Sequence, residues 1–202
     1  GFYLIVDERE DELARRGVIP EPGGDYDLGL AFTDRRFNAD GTISYDFLDH
    51  NGYIGDVQTV NGKVQPYLDV ERRKYRFRFL NASNARVYEM RLSSGQKMCI
   101  IGTDSWLLPR GVEVDSFEVS PGMRHDVIVD FSQFEEGDEV FLENILIQTD
   151  GRKGKDLDPD DPTPLLKFNV VGEALSEPEV PCVEGTTIRG YAVDVGQGVD
   201  DD

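Results

Sequence analysis

The segment Tyr75-Arg76-Phe77-Arg78-Phe79-Leu80 alternates aromatic and cationic residues without a break. A period of two puts the aromatics on one face of an extended strand and the arginines on the other, which no helix can do. Comparable apolar stretches recur along the chain at intervals of roughly 8–15 residues, each bounded by Gly, Pro, Asn or Asp. The candidates are Phe2–Val6, Tyr26–Thr33, Phe37–Ile43, Val57–Val60, Val64–Val70, Tyr75–Leu80, Val87–Leu92, Met98–Ile101, Val112–Val119, Asp126–Phe131, Val140–Ile147 and Leu165–Val171. Many short strands at such spacing predict an all-β sandwich or barrel.

Local signals refine this. Asn38-Ala39-Asp40-Gly41 marks a hairpin inside Phe37–Ile43, and Asn61-Gly62 marks a tight reversal. Val87–Leu92 is expected to pair with Met98–Ile101 across Ser93-Ser94-Gly95. One short N-terminal helix is predicted over Asp7–Gly17: an Asp cap, acids in the first turn, arginines near the end and Gly at the stop. The proline- and aspartate-rich stretch Asp150–Pro164 is a loop. These boundaries place a folded domain at 1–172 and an acidic linker and tail at 173–202, with Gly196–Asp202 a solvated end. No charged leader precedes the apolar opening Gly1–Val6, so this is not a signal peptide, and the chain reads as a piece of something longer.

Composition excludes more functions than it proposes. Against 40 Asp plus Glu stand 21 Lys plus Arg, a net charge of −19 among 202 residues. That balance argues against nucleic-acid partners, whose phosphates need clustered cations, and against docking on anionic membranes. The triplet Arg72-Arg73-Lys74 is too short and too surrounded by acids to change this. No run approaches the roughly 18–20 apolar residues of a membrane span. The acidity is Asp-rich and Lys-poor, a pattern that suits a hydrated surface in high salt or an ordinary acidic protein.

The residues that carry chemistry are few. There are two histidines, His50 and His125, and two cysteines, Cys99 and Cys182. A blue-copper centre needs two His, a Cys and usually a Met, close together in part of the chain. After Cys99 the next histidine is His125, in a different strand, no histidine follows Cys182, and no His-x-His pair exists. The reading is therefore no catalytic, cofactor-binding or metal-ligating residue in this chain. His125 is expected to be a structural hydrogen-bonder and His50 a solvated loop residue. Cys99 reads as a buried free thiol and Cys182 as a linker residue that could bridge to a missing partner, while a Cys99–Cys182 bridge stays open. Asp156–Asp161 could bind Ca²⁺ but lacks the spacing and central Gly of an EF-hand. Asn81-Ala82-Ser83 fits a glycosylation sequon but follows a strand, where it reads as a backbone-satisfying turn.

Several segments taken in order resemble one family. Val60-Asn61-Gly62-Lys63-Val64-Gln65-Pro66-Tyr67-Leu68 and Arg73–Ser83 are similar to the second cupredoxin domain of three-domain multicopper oxidases, in the branch of bilirubin oxidases and spore-coat laccases. Arg36–Gly41, Gly55-Asp56, Val112-Glu113-Val114 and Pro121–Phe131 extend the resemblance. It implies a Greek-key cupredoxin-like, or plastocyanin-like, β-sandwich that carries no copper of its own. The first and third domains of the parent would hold the copper, and this one would be a non-catalytic scaffold docking those flanking domains. The parent would be extracytoplasmic, oxidising phenols, pigments or metal ions one electron at a time and reducing O₂ to water. On that reading Tyr75, Phe77 and Phe79 are core, while Arg76, Arg78 and Arg86 face a neighbouring domain or a solvated sheet face.

Two other readings stand beside it: a freestanding immunoglobulin-like binding or adhesion module, and an acidic Ca²⁺-binding β-module. An open apolar sheet face would favour the oxidase domain over the freestanding module.

Overall fold

The structure is a computed structural model that describes residues 2–46, 48, 50–104, 106–152, 154, 156–174, 182 and 187–189. Among these lie one helix, α1 (Glu8–Arg15), and twelve strands in two stacked sheets. The first sheet has the order β3 (Lys63–Val64), β2 (Val57–Val60), β1 (Asp27–Arg35), β5 (Lys74–Asn81), β10 (Arg124–Asp130), β7 (Met98–Thr103), β8 (Trp106–Val114). The second runs β4 (Tyr67–Glu71), β12 (Thr163–Val171), β11 (Glu139–Asn144), β6 (Tyr88–Leu92), β9 (Ser116–Val119). Most pairs are antiparallel, but β1 runs parallel to β5 and β12 parallel to β4, as expected when a Greek-key sandwich brings back strands from distant parts of the chain.

The alternation in β5 fixes the architecture. Tyr75, Phe77 and Phe79 point between the sheets, where they contact Phe131, Phe168 and Phe117 at centroid distances of 5.1–6.4 Å. The main core also takes Met98 and Ile100 from β7 and Val127 and Val129 from β10. The intervening residues of the same strands, Cys99, Ile101 and Ile128, lie on the opposite face and build a second apolar cluster with Leu13 of α1, Ile19, Leu107 and Ile188. The centre of the first sheet, β5, β10 and β7, is thus buried on both faces, with α1 on the outer one. Near-continuous apolar runs such as Met98–Ile101 follow from that, since both faces of the strand need apolar side chains.

α1 forms where its signals predict. The Asp7 carboxylate accepts the N–H groups of Arg9 and Glu10, and Gly17 turns the chain at φ +67°. Glu10 and Leu13, three residues apart, share the buried face.

Four strand expectations need correction. Phe2–Val6 forms no strand; it lies along the domain, the Phe2 ring filling the space where a Cβ on Gly29 would come within 2.9 Å. Val64–Val70 is two strands in different sheets, because Gln65 takes a left-handed φ of +43° and sends the chain across. Val87–Leu92 and Met98–Ile101 are not a hairpin: β6 and β7 sit in opposite sheets, and Ser93 pairs with Phe141 of β11. Two apolar strands joined by a glycine turn give the same pattern whether they pair edge to edge or arch from sheet to sheet. Val112–Val119 likewise breaks at Asp115 into β8 and β9 of different sheets, and β8 begins earlier, at Trp106. The hairpin at Phe37–Ile43 survives as a single bridge between those two residues.

The linker stretch Ser176–Pro181 and the tail Gly196–Asp202 lie outside the described residues. Cys182 and Thr187–Arg189, which are described, are anchored on the domain, Ile188 being fully buried. No described helix is long and apolar enough to cross a membrane.

Candidate functional site

Most of the chemistry-bearing residues are held in structural contacts, although the buried His125 Nδ1 has no hydrogen-bond partner among the described residues. His125, on β10, is 7 % exposed; its Nε2 lies 3.1 Å from the Glu118 carbonyl and its ring meets Phe117 edge-on. Burial lowers its pKa from the ordinary 6.5, against the carbonyl hydrogen bond that would raise it. The ring is thus a neutral structural element at pH 7. His50 sits exposed in a turn. The free-thiol reading of Cys99 is overturned: Cys99 and Cys182 are joined in a disulfide across 83 residues. Cys99 points outward from β7 into the second apolar cluster, where Cys182 packs beside it.

A blue-copper or three-copper centre needs several imidazoles and a thiolate converging on one point. Here one imidazole is bound to backbone between buried strands, the other is in an exposed loop, and both sulfurs are consumed in a bridge. These residues do not fit a copper centre.

Asn81 is fully buried, and its Nδ2 donates to the carbonyls of Arg86 and Val119, both at 2.7 Å. Its Oδ1 accepts the Ser83 N–H. The sequon is a structural turn that ties β5 to β9, with no amide left for a glycan. In the acidic loop Asp158 accepts the N–H groups of Asp160 and Asp161. Among the described residues no three His, Cys, Asp or Glu side chains gather as a metal site would require.

The arginines are where the structure departs furthest from the sequence reading. Arg76 does not face a neighbouring domain or solvent; it is 1 % exposed beneath α1. Its Nη2 reaches Glu10 Oε1 at 2.8 Å and Asp126 Oδ2 at 2.5 Å. Arg78 forks onto Asp27 through Nε and Nη2, each at 2.7 Å, and reaches Asp126 at 3.3 Å. Asp27 also accepts the Gly23 N–H. Burial works to lower the Arg76 pKa, but Asp126, Glu10 and Asp27 outweigh it and raise the value, so the guanidinium stays charged. Arg86 also pairs within the chain, donating to Asp34 Oδ2 at 3.1 Å and to the Gly55 carbonyl at 2.5 Å. Gly55 is required there, since a Cβ would meet the Arg35 backbone at 2.3 Å.

These two ionic clusters fasten α1 and the 53–55 segment to the sheet. The alternating arginines of β5 were visible in the sequence, and so was Glu10 as one of the acids in the first turn of α1. That the two faces meet depends on α1 folding back over the sheet, for which nothing local is a signal.

The open apolar surface is spread over the N-terminal segment, the 37–48 loop and edge strands such as β8, not gathered on one sheet face. Tyr3 and Ile5 are 91 % and 77 % exposed while Phe2, Leu4 and Val6 lean on the body. Phe37, Ile43, Tyr45, Leu48, Trp106 and Val112 add further exposed side chains. The outer face of the second sheet is polar, with the ion pairs Lys167–Glu139 and Arg91–Glu143. The apolar-sheet-face criterion therefore does not separate the two readings it was meant to separate.

Comparison with known proteins does separate them. The family model described as multicopper oxidase matches residues 36–159. The chain belongs to the multicopper oxidases. The laccase of Bacillus subtilis (strain 168) is 37 % identical over 182 residues, covering 84 % of this chain and 33 % of that protein. The cell division protein FtsP of Escherichia coli (strain K12) is 37 % identical over 142 residues, covering 70 % of this chain and 29 % of FtsP. Among solved structures, the McoA multicopper oxidase of the hyperthermophile Aquifex aeolicus superposes with a TM-score of 0.72 at 31 % identity, covering 88 % of this chain and 38 % of McoA. The chain spans about a third of the length of the curated laccases it matches. The all-β cupredoxin-like sandwich expected from the resemblance is the fold observed.

Proposed function

We propose that this multicopper-oxidase chain is the middle, copper-free domain of a laccase-like enzyme in the bilirubin-oxidase and spore-coat-laccase branch. Its work is scaffolding: it holds a preceding and a following cupredoxin domain in register and carries out no electron transfer itself. The observation that carries this reading is the commitment of the donor set, with His125 bound to backbone and both cysteines bridged, in a chain whose laccase relatives are about three times as long. Copper belongs to the flanking domains on this reading, as does the oxidation of phenols, pigments or metal ions coupled to reduction of O₂ to water.

On this reading the exposed apolar side chains of residues 2–6 and of Phe37, Ile43, Tyr45 and Leu48 are the surfaces such neighbours would cover. A disulfide is stable in oxidising compartments, which supports an extracytoplasmic setting. Reading the coding sequence on either side tests the assignment. His-x-His motifs upstream and a His-Cys-His motif downstream are expected, with phenol oxidation by the longer protein and none by this chain. Flanks without such motifs, or phenol oxidation by the chain alone, would overturn it.

A further inference from the structure

The second apolar cluster is separate from the main core, on the other face of the first sheet, and it is closed by few anchors. Leu13 of α1, Ile101 of β7, Leu107 of β8 and Ile128 of β10 form its floor, and Ile188 caps it, fully buried. The described positions Cys182 and Thr187–Arg189 act as a clasp over it. Ile188 and Arg189 donate N–H groups to the Pro109 carbonyl at 2.9 and 3.4 Å. Arg9 of α1 donates to the carbonyls of Ile188 and Thr187 at 2.8 and 3.0 Å, and Arg189 pairs with Asp7, the cap of that helix. Cys182 supplies the single covalent tie.

The main core between the sheets shares none of these side chains. We propose that the Cys99–Cys182 bridge is a redox latch: its reduction by a dithiol releases the clasp and opens the α1 side of the domain while the sandwich stays folded. This goes beyond the scaffold role and does not depend on it.

The chemistry balances within the two disulfide pairs. Cys99 is 7 % exposed, whereas Cys182 is only half-buried, so an incoming thiolate reaches the Cys182 sulfur first. The S–S bond breaks, Cys99 leaves as a thiolate into apolar surroundings that favour its protonation, and a mixed disulfide forms at Cys182. The second thiol of the reductant resolves it. The protein ends with two thiols, having gained two electrons and two protons, and the dithiol ends as a disulfide.

Once the tie is gone, only the burial of Ile188, the hydrogen bonds to Pro109 and Arg9 and the Arg189–Asp7 pair hold the described part of the clasp, and these can be lost locally without the main core. Hydrogen–deuterium exchange on the full chain, with and without dithiothreitol, tests this. Reduction should raise amide exchange in α1 and in residues 107–113 by about tenfold or more, leaving β5, β11 and β12 unchanged. Emission from Trp106, the chain's one tryptophan, reports the same opening because its neighbour Leu107 is part of the cluster floor. A Cys99→Ser, Cys182→Ser double variant should behave like the reduced protein. Ile188→Ala with the bridge intact should loosen α1 alone. Unchanged exchange in α1 after complete reduction would overturn the latch, and so would loss of protection in β5, β11 and β12 along with α1.

Discussion

Arg76 is the residue on which the α1 side of the domain turns. It is buried, charged and shared between Glu10 and Asp126, and truncating one member of such a cluster leaves the others as uncompensated buried charges. Arg76→Ala should lower unfolding free energy by about 3–5 kcal/mol, read from urea denaturation. Lys167→Ala, which removes an exposed pair with Glu139, should cost less than about 1 kcal/mol. A loss at Arg76 no larger than at Lys167 would mean that the buried cluster is not holding α1 down.

His125 gives a pH signature. Its folded pKa lies below the ordinary 6.5 because of burial, so the unfolded chain takes up the proton first. The penalty is absent above pH 6.5 and grows as pH falls through that value toward the folded pKa. Stability should fall on acidification below about pH 6.5, a decline that begins above the range in which most carboxylates titrate. The slope should be at most about 1.4 kcal/mol per pH unit. His125→Gln should flatten it; an unchanged slope in that variant would place the titrating group elsewhere.

At the level of elements, β5 and α1 could be read from local pattern because each carries its own periodicity and caps. The strands that were misjudged are those next to sheet crossings. There, one residue decides whether the chain pairs with its neighbour or arches to the other sheet, and nothing in the apolar pattern distinguishes the two. Gln65 is such a residue, with a φ of +43° that L side chains adopt at a cost. Gln65→Gly should stabilise the domain by up to about 1 kcal/mol and Gln65→Val should destabilise it by about 1–2 kcal/mol, measured by thermal or urea unfolding. A loss of stability in the glycine variant would contradict this account of the crossing. The ionic clusters were legible as residue types but not as pairs, since Arg76 and Glu10 are 66 positions apart. The disulfide was open among three alternatives for the same reason: its partners, 83 residues apart, meet only because the chain returns over the first sheet.

For the whole molecule, a net charge of −19 makes self-repulsion a standing cost to the compact state, and salt screens it over a Debye length of about 3 Å at 1 M. The midpoint of thermal unfolding should rise between dilute buffer and molar salt; equal midpoints would remove the case for a salt-adapted surface. The central proposal is that a domain of this oxidase family works here as scaffold, with His125 bound to backbone, His50 in an exposed turn and both sulfurs bridged. Copper titration of the chain, followed by absorption and electron paramagnetic resonance, tests it most directly. The account predicts substoichiometric, weakly held copper and no intense blue band. One equivalent of tightly bound copper with that band would contradict it.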